Sequence, residues 1–593
     1  MTVTQTPEVP EIGDPADRRL ALGASGLLRT FNEAGVLEAA DVHVATRVAV
    51  LSSTAGQPPD EAVTLAMALT VRAIRNGSVC LDLTAVEVDS GLPELPWPRF
   101  DEWIVALRAS PLLAAPPVLR LYGDRLLYLD RYWLEEEQVC AELLGRLGVD
   151  PPVDAAAMAA GLDRVFHRPG SREQRAAAEI ALSRLTTVLT GGPGTGKTTT
   201  VAGLLALLAE QAELGGHPPL RIALAAPTGK ASARLQEAVR LEIGNLPESD
   251  RARLTGLQAV TLHRLLGARP DTSTRFRHHR GNRLPHDVIV VDETSMVSLT
   301  MMARLLEAVR PDVRLILVGD PDQLSSVEAG AVLADLVDGL AGRAQIAELK
   351  TSHRFGESIG LLADAIRLGD DDRVMELLVA GDEHIEFVDT KDPASRLREI
   401  LVPHLVRVRT AAAAGAFSAA LSALDEHRLL CAHREGPRGV RHWNRQLERW
   451  LTEETGEPIW SEWYVGRPIL VTANDYGLGL YNGDTGVTVL DGGVLRAAIG
   501  GAGGVLDFAT SRLADVDTMH AMTIHKSQGS QADEVTVLLP PDDSRLLSRE
   551  LLYTAVTRAK TKVRVVGSEA GVRAALARRV LRATGLRQRL LAD

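Results

Sequence analysis

The stretch "LTTVLTGGPGTGKTTT", residues 185–200, decides the fold. An apolar run leads directly into Gly191-x4-Gly196-Lys197-Thr198, the complete pattern of a phosphate-binding P-loop. In this pattern a buried strand ends in a glycine-rich turn whose backbone N–H groups cradle phosphates, and a helix follows. We therefore predict that Lys197 reaches the β and γ oxygens of a nucleoside triphosphate and that Thr198 holds Mg²⁺.

The whole loop is predicted to bind ATP together with Mg²⁺. Glycine and small hydroxyl residues suit this role because the backbone must approach the phosphates closely. The residues that we assign to nucleotide binding in the loop are Gly191, Gly192, Gly194, Thr195, Gly196, Lys197, Thr198 and Thr199.

Two further polar positions follow apolar runs downstream of the loop. "VIVVDETS" ends in Asp292 and Glu293, and "LILVGDPDQL" carries Gln323 just after the next run. We expect Asp292 to hold the metal ion through water or Thr198, and Glu293 to act as the general base on the attacking water. Gln323 is expected to sense the γ-phosphate through its amide without adding charge.

Short apolar strands alternate with helices on both sides of these motifs. "IALAAPT", "DVIVVDE" and "VRLILVGD" continue the pattern in the first half, and "HRLLCAHRE", "RPILVTAND", "EVTVLLP" and "KVRVVGS" repeat it later. Near-continuous Val, Ile and Leu runs are typical of parallel sheets covered on both faces. We therefore predict an α/β protein with two such sheets. "TGVTVLDGGVLRAAIG" indicates a β-hairpin that turns at 491–493.

The 593 residues are too many for one ordinary domain. Apolar residues at three- and four-residue spacing predict helices before about residue 148, except for "LRLYGDRLLYLDRYW", which predicts two strands joined by a turn. The predicted divisions are a disordered tail at 1–13, a mostly helical domain over 1–150 with a linker at 148–154, a P-loop lobe over 151–345, and a second lobe over 346–593 with a small β insertion near 484–515.

Composition excludes several classes of protein. With 45% hydrophobic and 24% charged residues the chain is neither disordered nor collagen-like, and its three cysteines lack the CxxC spacing of metal sites. No membrane span or signal peptide is predicted, so we expect a cytoplasmic protein. The net charge of −12 is uneven, because residues 1–150 hold 12 basic and 22 acidic side chains. The remaining chain is close to neutral and is able to carry a basic groove.

The motifs occur in an order that resembles a known family. The series is "SREQRAA", the P-loop, "APTGKASARL", "TLHRLLG", "VVDET", "GDPDQL", "SHRF", "TIHKSQGSQ" and "YTAVTRA", between about 171 and 560. This series is similar to that of superfamily 1 DNA helicases, and in particular to the RecD branch. The resemblance covers roughly two-thirds of the chain and implies two RecA-like lobes with ATP bound between them.

The resemblance assigns further nucleotide contacts. Gln174 would read the edge of the adenine, and Arg354 and Arg558 would act as arginine fingers from the second lobe. Such fingers stabilise charge in the transition state and contribute on the order of 10³–10⁵ in rate. The family often has an acidic residue after "SQGS", whereas this chain has Gln531, which can still bond a ribose hydroxyl.

The resemblance also implies contacts to single-stranded DNA on both lobes. Small hydroxyls, loop amides and single cations suit phosphate contacts that carry no sequence information. The candidate DNA-binding residues are Pro227, Thr228, Lys230, His263, Thr523, His525 and Lys526.

The resemblance therefore implies an ATP-dependent DNA helicase that moves 5′→3′ as one subunit of a RecBCD-type complex in recombination and double-strand break repair. RecB-like and RecC-like subunits would be its partners, docked through residues 1–150, because that acidic segment repels DNA. Alternatives are a free-standing RecD-like helicase, a P-loop ATPase switch, and a subunit with an inactive site. Free-standing relatives carry helix-hairpin-helix repeats, which residues 1–150 do not show. The segment could also be a cap packed on its own motor.

Overall fold

The structure is a computed structural model that describes residues 17–52, 60–269, 272–351, 357–390, 392–475, 477–501, 504–542, 544–580 and 582–592. The predicted tail at 1–13 and Arg354 lie outside these residues. Among the described residues no helix is long and apolar enough to cross a membrane.

The N-terminal part is mostly helical and also contains a small antiparallel sheet in the order β1-β3-β2. It has a hydrophobic core of its own, around Phe31, Leu65 and Trp103. Its elements are α1 (Gly26–Glu33), α2 (Ala39–Ser52), α3 (Glu61–Arg75), β1 (Leu81–Asp82), α4 (Val86–Ser90), α5 (Phe100–Ala109), β2 (Leu119–Tyr122), β3 (Leu126–Leu129) and α6 (Asp130–Leu147).

The predicted aromatic hairpin is shorter than expected. Helix α6 begins at Asp130, so Tyr132 and Trp133 lie on a helix and not on the second strand. The buried Val139 and Leu143 show why, because apolar residues four apart face one side of a helix. The sequence prediction extended the second strand too far, because Tyr and Trp favour strands and the helical spacing of apolar residues becomes visible only further along the chain.

The first lobe is built on a six-stranded parallel sheet in the order β11-β4-β10-β9-β5-β6. The last strand of this sheet, β11, begins at Ile346, just after the boundary predicted at 345, so the sheet of the first lobe extends to Leu349. The elements are α7 (Ala155–Val165), α8 (Arg172–Ser183), β4 (Thr186–Gly191), α9 (Lys197–Leu214), β5 (Ile222–Ala226), α10 (Gly229–Gly244), α11 (Glu248–Ala252), β6 (Ala259–Thr261), α12 (Leu262–Leu266), β7 (Ala268–Arg269), β8 (Thr272–Phe276), β9 (Val288–Val291), α13 (Leu299–Ala308), β10 (Arg314–Gly319), α14 (Val332–Gly339) and β11 (Ile346–Leu349).

The second lobe has a five-stranded parallel sheet in the order β12-β21-β20-β13-β19. Its elements are α15 (Glu357–Leu368), α16 (Asp371–Ala380), β12 (Ile385–Asp389), α17 (Ala394–Ala413), α18 (Phe417–Glu426), β13 (His427–Cys431), α19 (Val440–Thr455), β14 (Pro468–Val471), β15 (Thr485–Asp491), β16 (Val494–Gly501), β17 (Gly504–Ala509), β18 (Val516–Thr518), β19 (Ala521–Thr523), α20 (Ile524–Ser527), β20 (Ala532–Leu538), α21 (Arg549–Val556), β21 (Ala559–Gly567), α22 (Glu569–Ala577) and α23 (Leu586–Ala592).

The two parallel sheets confirm the predicted fold class of two RecA-like lobes with a mostly helical N-terminal domain. In each sheet the third strand along the chain lies at one edge, followed by the second, the fourth, the fifth and the first. The first lobe adds β11 beyond its first strand. The lobes are therefore structural copies, which the sequence did not reveal.

The β insertion is larger than predicted. Strands β15 and β16 form the predicted hairpin, and they belong to an antiparallel sheet in the order β17-β16-β15-β14-β18. Strand β14, from "RPILVTAND", was expected in the parallel sheet of the second lobe and lies in this insertion instead. An apolar run predicts a strand but does not specify which sheet that strand joins.

The C-terminal helix α23 returns to the first lobe. It packs against α14 and α6, and Leu586 and Leu590 enter a hydrophobic cluster that the N-terminal part and the first lobe share. The backbone N–H of Val79 donates to the carbonyl of Ala583, at 2.8 Å. The N-terminal part is therefore packed against the first lobe through both α6 and the C-terminal segment.

Candidate nucleotide and DNA sites

Three neighbouring strands bring the predicted nucleotide residues together. Strands β4, β10 and β9 are adjacent and parallel, so their carboxyl ends lie at one edge of the sheet. The P-loop follows β4, "DPDQL" follows β10, and Asp292 follows β9. These segments line one cavity of about 720 Å³.

The P-loop has the backbone that its sequence predicts. Gly194 and Gly196 have φ angles of 82° and 87°, which side chains with a Cβ rarely adopt. The Nζ of Lys197 donates to the carbonyls of Gly191 and Gly192, at 2.6 and 2.8 Å. Burial lowers the pKa of Lys197, and the nearby Asp320 opposes that shift. The Nζ atom of Lys197 is thus held against the backbone at the start of the P-loop.

Gln174 lies on α8 against the loop. Its Nε2 donates to the carbonyl of Thr195 at 3.1 Å, and a Cβ on Gly196 would lie 2.9 Å from the same nitrogen. The left-handed φ of 87° and this close approach both favour glycine at 196. Beside Gln174 the cavity is also lined by Phe166 and Arg168 of the preceding turn.

The acidic pair occupies the end of β9. The backbone N–H of Glu293 donates to Oδ1 of Asp292 at 2.9 Å, and Glu293 has a left-handed φ of 50°. Burial raises the pKa of Asp292, and the charge of Glu293 adds to that effect. Thr198 lines the same cavity. A hydroxyl and a carboxylate are oxygen ligands of the kind that Mg²⁺ prefers, so the residues fit the predicted ion.

A chain of hydrogen bonds joins Gln323 to the second lobe. The Nε2 of Gln323 donates to Oδ2 of Asp320 at 3.0 Å, and its Oε1 accepts from Nη2 of Arg558 at 2.9 Å. Tyr553 of α21 donates its hydroxyl to the same Oδ2 of Asp320, at 3.0 Å. All four side chains are buried, so each bond is costly to leave unmade.

The backbone beside Gln323 is held from the second lobe as well. The N–H of Leu324 donates to the hydroxyl of Thr554 at 2.9 Å, and Nε2 of Gln528 donates to the carbonyl of Leu324 at 2.6 Å. Hydrogen bonds therefore join this segment to both α21 and the "SQG" turn.

Most of the predicted nucleotide residues face this one cavity. Those that line it are Gln174, Gly194, Gly196, Lys197, Thr198, Thr199, Asp292, Glu293, Gln323, Gln531 and Arg558. Gly191, Gly192 and Thr195 line a smaller cavity on the other side of the loop. Arg354 lies outside the described residues.

Four polar residues at this site were not predicted from the sequence. Asp320, Tyr553 and Gln528 form the bonds given above, and Arg234 lines the cavity from α10. Each lies inside a quoted motif, namely "GDPDQL", "YTAVTRA", "SQGS" and "APTGKASARL". The signal was present, but a motif alone does not tell which of its side chains turn inward.

The predicted DNA residues lie at other strand ends. Pro227, Thr228 and Lys230 follow β5, and His263 follows β6. Strand β19, the edge strand of the second lobe, ends at Thr523, and His525 and Lys526 follow it. The hydroxyls of Thr228 and Thr523 each accept from the N–H three residues later, at 3.2 Å. Burial lowers the pKa of both His263 and His525, so each ring favours its neutral form.

A loop of the β insertion contacts both predicted DNA-binding lysines. Nζ of Lys526 donates to Oδ1 of Asn482 at 2.8 Å, and Nζ of Lys230 donates to the hydroxyl of Thr485 at 3.5 Å. Burial lowers the pKa of Lys230 to about 8. A Cβ on Gly229 would lie 2.2 Å from Cβ of Tyr481, so glycine lets this loop approach α10. These contacts between the insertion and both lobes were not predicted from the sequence.

Three family models match the chain. They are an AAA domain over residues 170–390, a UvrD-like helicase C-terminal domain over 518–566, and the N-terminal domain of RecBCD enzyme subunit RecD over 33–126. The RecBCD enzyme subunit RecD of Mycolicibacterium smegmatis is 69% identical, over 95% of this chain and 99% of that protein. The chain belongs to the RecD family.

Other RecD proteins match as well. The RecBCD enzyme subunit RecD of Mycobacterium tuberculosis is 66% identical over 97% of this chain and 98% of that protein. The ATP-dependent RecD2 DNA helicase of Deinococcus radiodurans is 32% identical over 82% of this chain and 61% of that protein. Membership of the RecD family confirms the predicted enzyme class, an ATP-dependent DNA helicase.

Among solved structures, a Pif1 helicase from Bacteroides in complex with ADP-AlF3 and ssDNA is 17% identical, with a TM-score of 0.38, over 66% of this chain and 91% of that chain.

Proposed function

We propose that the chain is the RecD subunit of a RecBCD-type complex and moves 5′→3′ along single-stranded DNA in double-strand break repair and recombination. ATP hydrolysis between the lobes would drive the movement. We place it in the cytoplasm, where bacterial chromosomal DNA lies. The observation that carries the proposal is the bond between Gln323 of the first lobe and Arg558 of the second, in the cavity that also holds Lys197.

The chemistry of hydrolysis would be divided among residues of both lobes. Lys197 and Arg558 would neutralise charge that develops on the γ-phosphate, and Glu293 would accept a proton from the attacking water. Thr198 and Asp292 would hold Mg²⁺, which supplies further neutralisation of phosphate charge. Gln323 would respond to the γ-phosphate and would pass the change to Arg558, with which it shares a hydrogen bond.

Movement would follow from the bonds that hold the segment around Gln323. Tyr553, Thr554 and Gln528 all bond to residues 320–324, so the two lobes cannot separate without breaking these contacts. Loss of the γ-phosphate would remove the negative charge that draws Arg558 toward the P-loop and would let the lobes open. Because each lobe carries predicted DNA contacts, opening and closing would move the strand by alternate grip.

Unwinding of tailed duplexes tests the polarity. A duplex with a 5′ single-stranded tail should be opened in the presence of ATP, and one with a 3′ tail should not. Unwinding only from the 3′ tail would overturn the proposed direction. No DNA-stimulated ATP hydrolysis at all, in the isolated chain or in the complex, would overturn the helicase mechanism.

Docking to RecB-like and RecC-like subunits is proposed for the outer face of the N-terminal part. Aromatic residues of the predicted hairpin are packed within the chain, since Tyr128 is buried and the Arg589 guanidinium lies 3.9 Å from the ring centre of Trp133. Exposed apolar side chains remain on α2 and α5, among them Leu51 and Val105, which are 67% and 68% exposed. Apolar side chains rimmed by charge are typical of a protein interface.

Surface substitutions test the docking face better than removal of residues 1–150. Helix α6 shares its core with the first lobe, so its deletion would uncover apolar side chains of the motor. We expect Leu51→Asp with Val105→Asp to abolish co-purification with RecB-like and RecC-like subunits. Leu214→Asp with Leu368→Asp, at exposed positions on the two lobes, is the matched control. Undiminished assembly of the first variant would contradict docking through this face.

A further inference from the structure

The two lobes carry similar four-residue turns at the same place in the fold. "TLHR", residues 261–264, follows β6, and "TIHK", residues 523–526, follows β19. Both strands are the third strand of their lobe along the chain, and both lie at the edge of the sheet. The likeness is therefore one of position in the fold as well as of sequence.

The register of the two edges agrees residue by residue. The last residue of β5, Ala226, pairs with Thr261, and the last residue of β13, Cys431, pairs with Thr523. Each threonine hydroxyl accepts from the N–H three residues on, which belongs to Arg264 in one turn and Lys526 in the other, at 3.2 Å in both. The backbone thus presents Arg264 and Lys526 in equivalent positions.

The middle residues of the turns match too. Leu262 and Ile524 are both buried and anchor the turn in the core of their lobe. His263 and His525 are both partly buried, and burial lowers the pKa of each. The basic residue that ends each turn is exposed, and in the part of the chain that the structure describes the Arg264 side chain makes no hydrogen bond or ion pair.

We propose that Arg264 binds a backbone phosphate of single-stranded nucleic acid on the first lobe, as the counterpart of Lys526 on the second. The inference rests on the proposed function, which places Lys526 on the DNA. It adds a residue that the motif resemblance did not select. With an equivalent cation on each lobe, the DNA backbone would make the same kind of phosphate contact with both lobes, whether the lobes are open or closed.

Salt dependence of DNA binding tests the assignment on the full-length chain. Binding to a long oligodeoxythymidylate should weaken with salt, because each phosphate contact releases counterions with a slope of about −0.7 per contact in single strands. We expect Arg264→Ala to reduce the slope of log affinity against log salt by about 0.7, as Lys526→Ala does, and the double variant by about 1.4. Arg264→Lys should keep the wild-type slope, because a single cation suffices for a phosphate.

The control is Arg251→Ala, which removes an exposed arginine on α11 that makes no ion pair among the described residues. A slope unchanged by Arg264→Ala but reduced by Lys526→Ala would overturn the role of Arg264 and leave the proposed function standing. Slopes unchanged by both substitutions would overturn the DNA track itself, and the role of Arg264 with it.

Discussion

The nucleotide site and the predicted DNA track are built in different ways. Around the nucleotide cavity, the segments that follow three adjacent strands of one sheet carry Lys197, Asp292 and Gln323, and Arg558 reaches them from the other lobe. The predicted DNA residues lie at the ends of β5 and of the edge strands β6 and β19, and Asn482 and Thr485 of the insertion contact the lysines of both lobes. The first site is fixed by local chain geometry, whereas the second depends on how the lobes and the insertion are arranged. Substitutions should therefore affect turnover most at the first site and DNA affinity at the second.

The largest effect is expected from Arg558→Ala. A cationic group that meets transition-state charge contributes on the order of 10³-fold or more in rate, and Arg558 also holds Gln323. DNA-stimulated ATP hydrolysis should fall by at least about 10³-fold. Arg558→Lys should not restore it, because the guanidinium reaches Gln323 and the carbonyl of Thr554 at once. Normal turnover in either variant would contradict a cavity shared by both lobes.

Lys197→Ala should reduce turnover by about 10²–10³-fold while DNA binding persists. Lys197 lies in the nucleotide cavity and not among the predicted DNA contacts. Its removal should therefore lower ATP turnover without lowering DNA affinity. Fluorescence anisotropy with labelled single-stranded DNA measures the second activity. The control is Lys560→Ala, which removes an exposed lysine paired with Asp533. More than about a tenth of wild-type turnover in Lys197→Ala would exclude the assigned role.

Glu293→Gln should slow hydrolysis by about 10²-fold and retain ATP binding. The amide keeps the shape of the side chain and removes the base. Binding of a fluorescent ATP analogue and single-turnover hydrolysis separate the two quantities. Loss of nucleotide affinity in parallel with turnover would mean that Glu293 shapes the site and does not act as the base.

Much of this architecture followed from sequence, and the exceptions have physical reasons. The P-loop strand, the Asp292 strand and the Gln323 strand were predicted because a buried parallel strand leaves a continuous apolar run. Strand β14 was placed in the wrong sheet, since an apolar run does not encode its partner. The contacts of Lys230 and Lys526 with the insertion were not predicted, because they join residues far apart in the chain. Arg558 was found only through the family resemblance.

A smaller effect is expected from Tyr553→Phe. The change removes a hydrogen bond to the buried Asp320, and a bond to a charged group is worth about 1.5–3 kcal/mol. We expect the DNA-stimulated rate to fall by about tenfold, which corresponds to about 1.4 kcal/mol. Tyr464→Phe is the control, because that buried hydroxyl bonds Glu448 at 3.0 Å and His520 at 2.7 Å within the second lobe and does not contact the first. Equal losses in both variants would mean that the Tyr553 bond does no more than stabilise the fold.

The smallest effect is expected from Asn482→Ala, and its sign distinguishes two roles for the insertion loop. Nζ of Lys526 donates to Oδ1 of Asn482 at 2.8 Å, so a phosphate that binds this lysine competes with the asparagine. Because the contact is exposed, its removal should change the free energy of binding by only about 0.5 kcal/mol. Affinity for single-stranded DNA should therefore rise about twofold in Asn482→Ala, and it should fall in Lys526→Ala. The measurement is a titration at low salt, where phosphate contacts count most. A lower affinity in Asn482→Ala would mean that the loop itself contacts DNA, and the track would then be enclosed by the insertion instead of blocked by it.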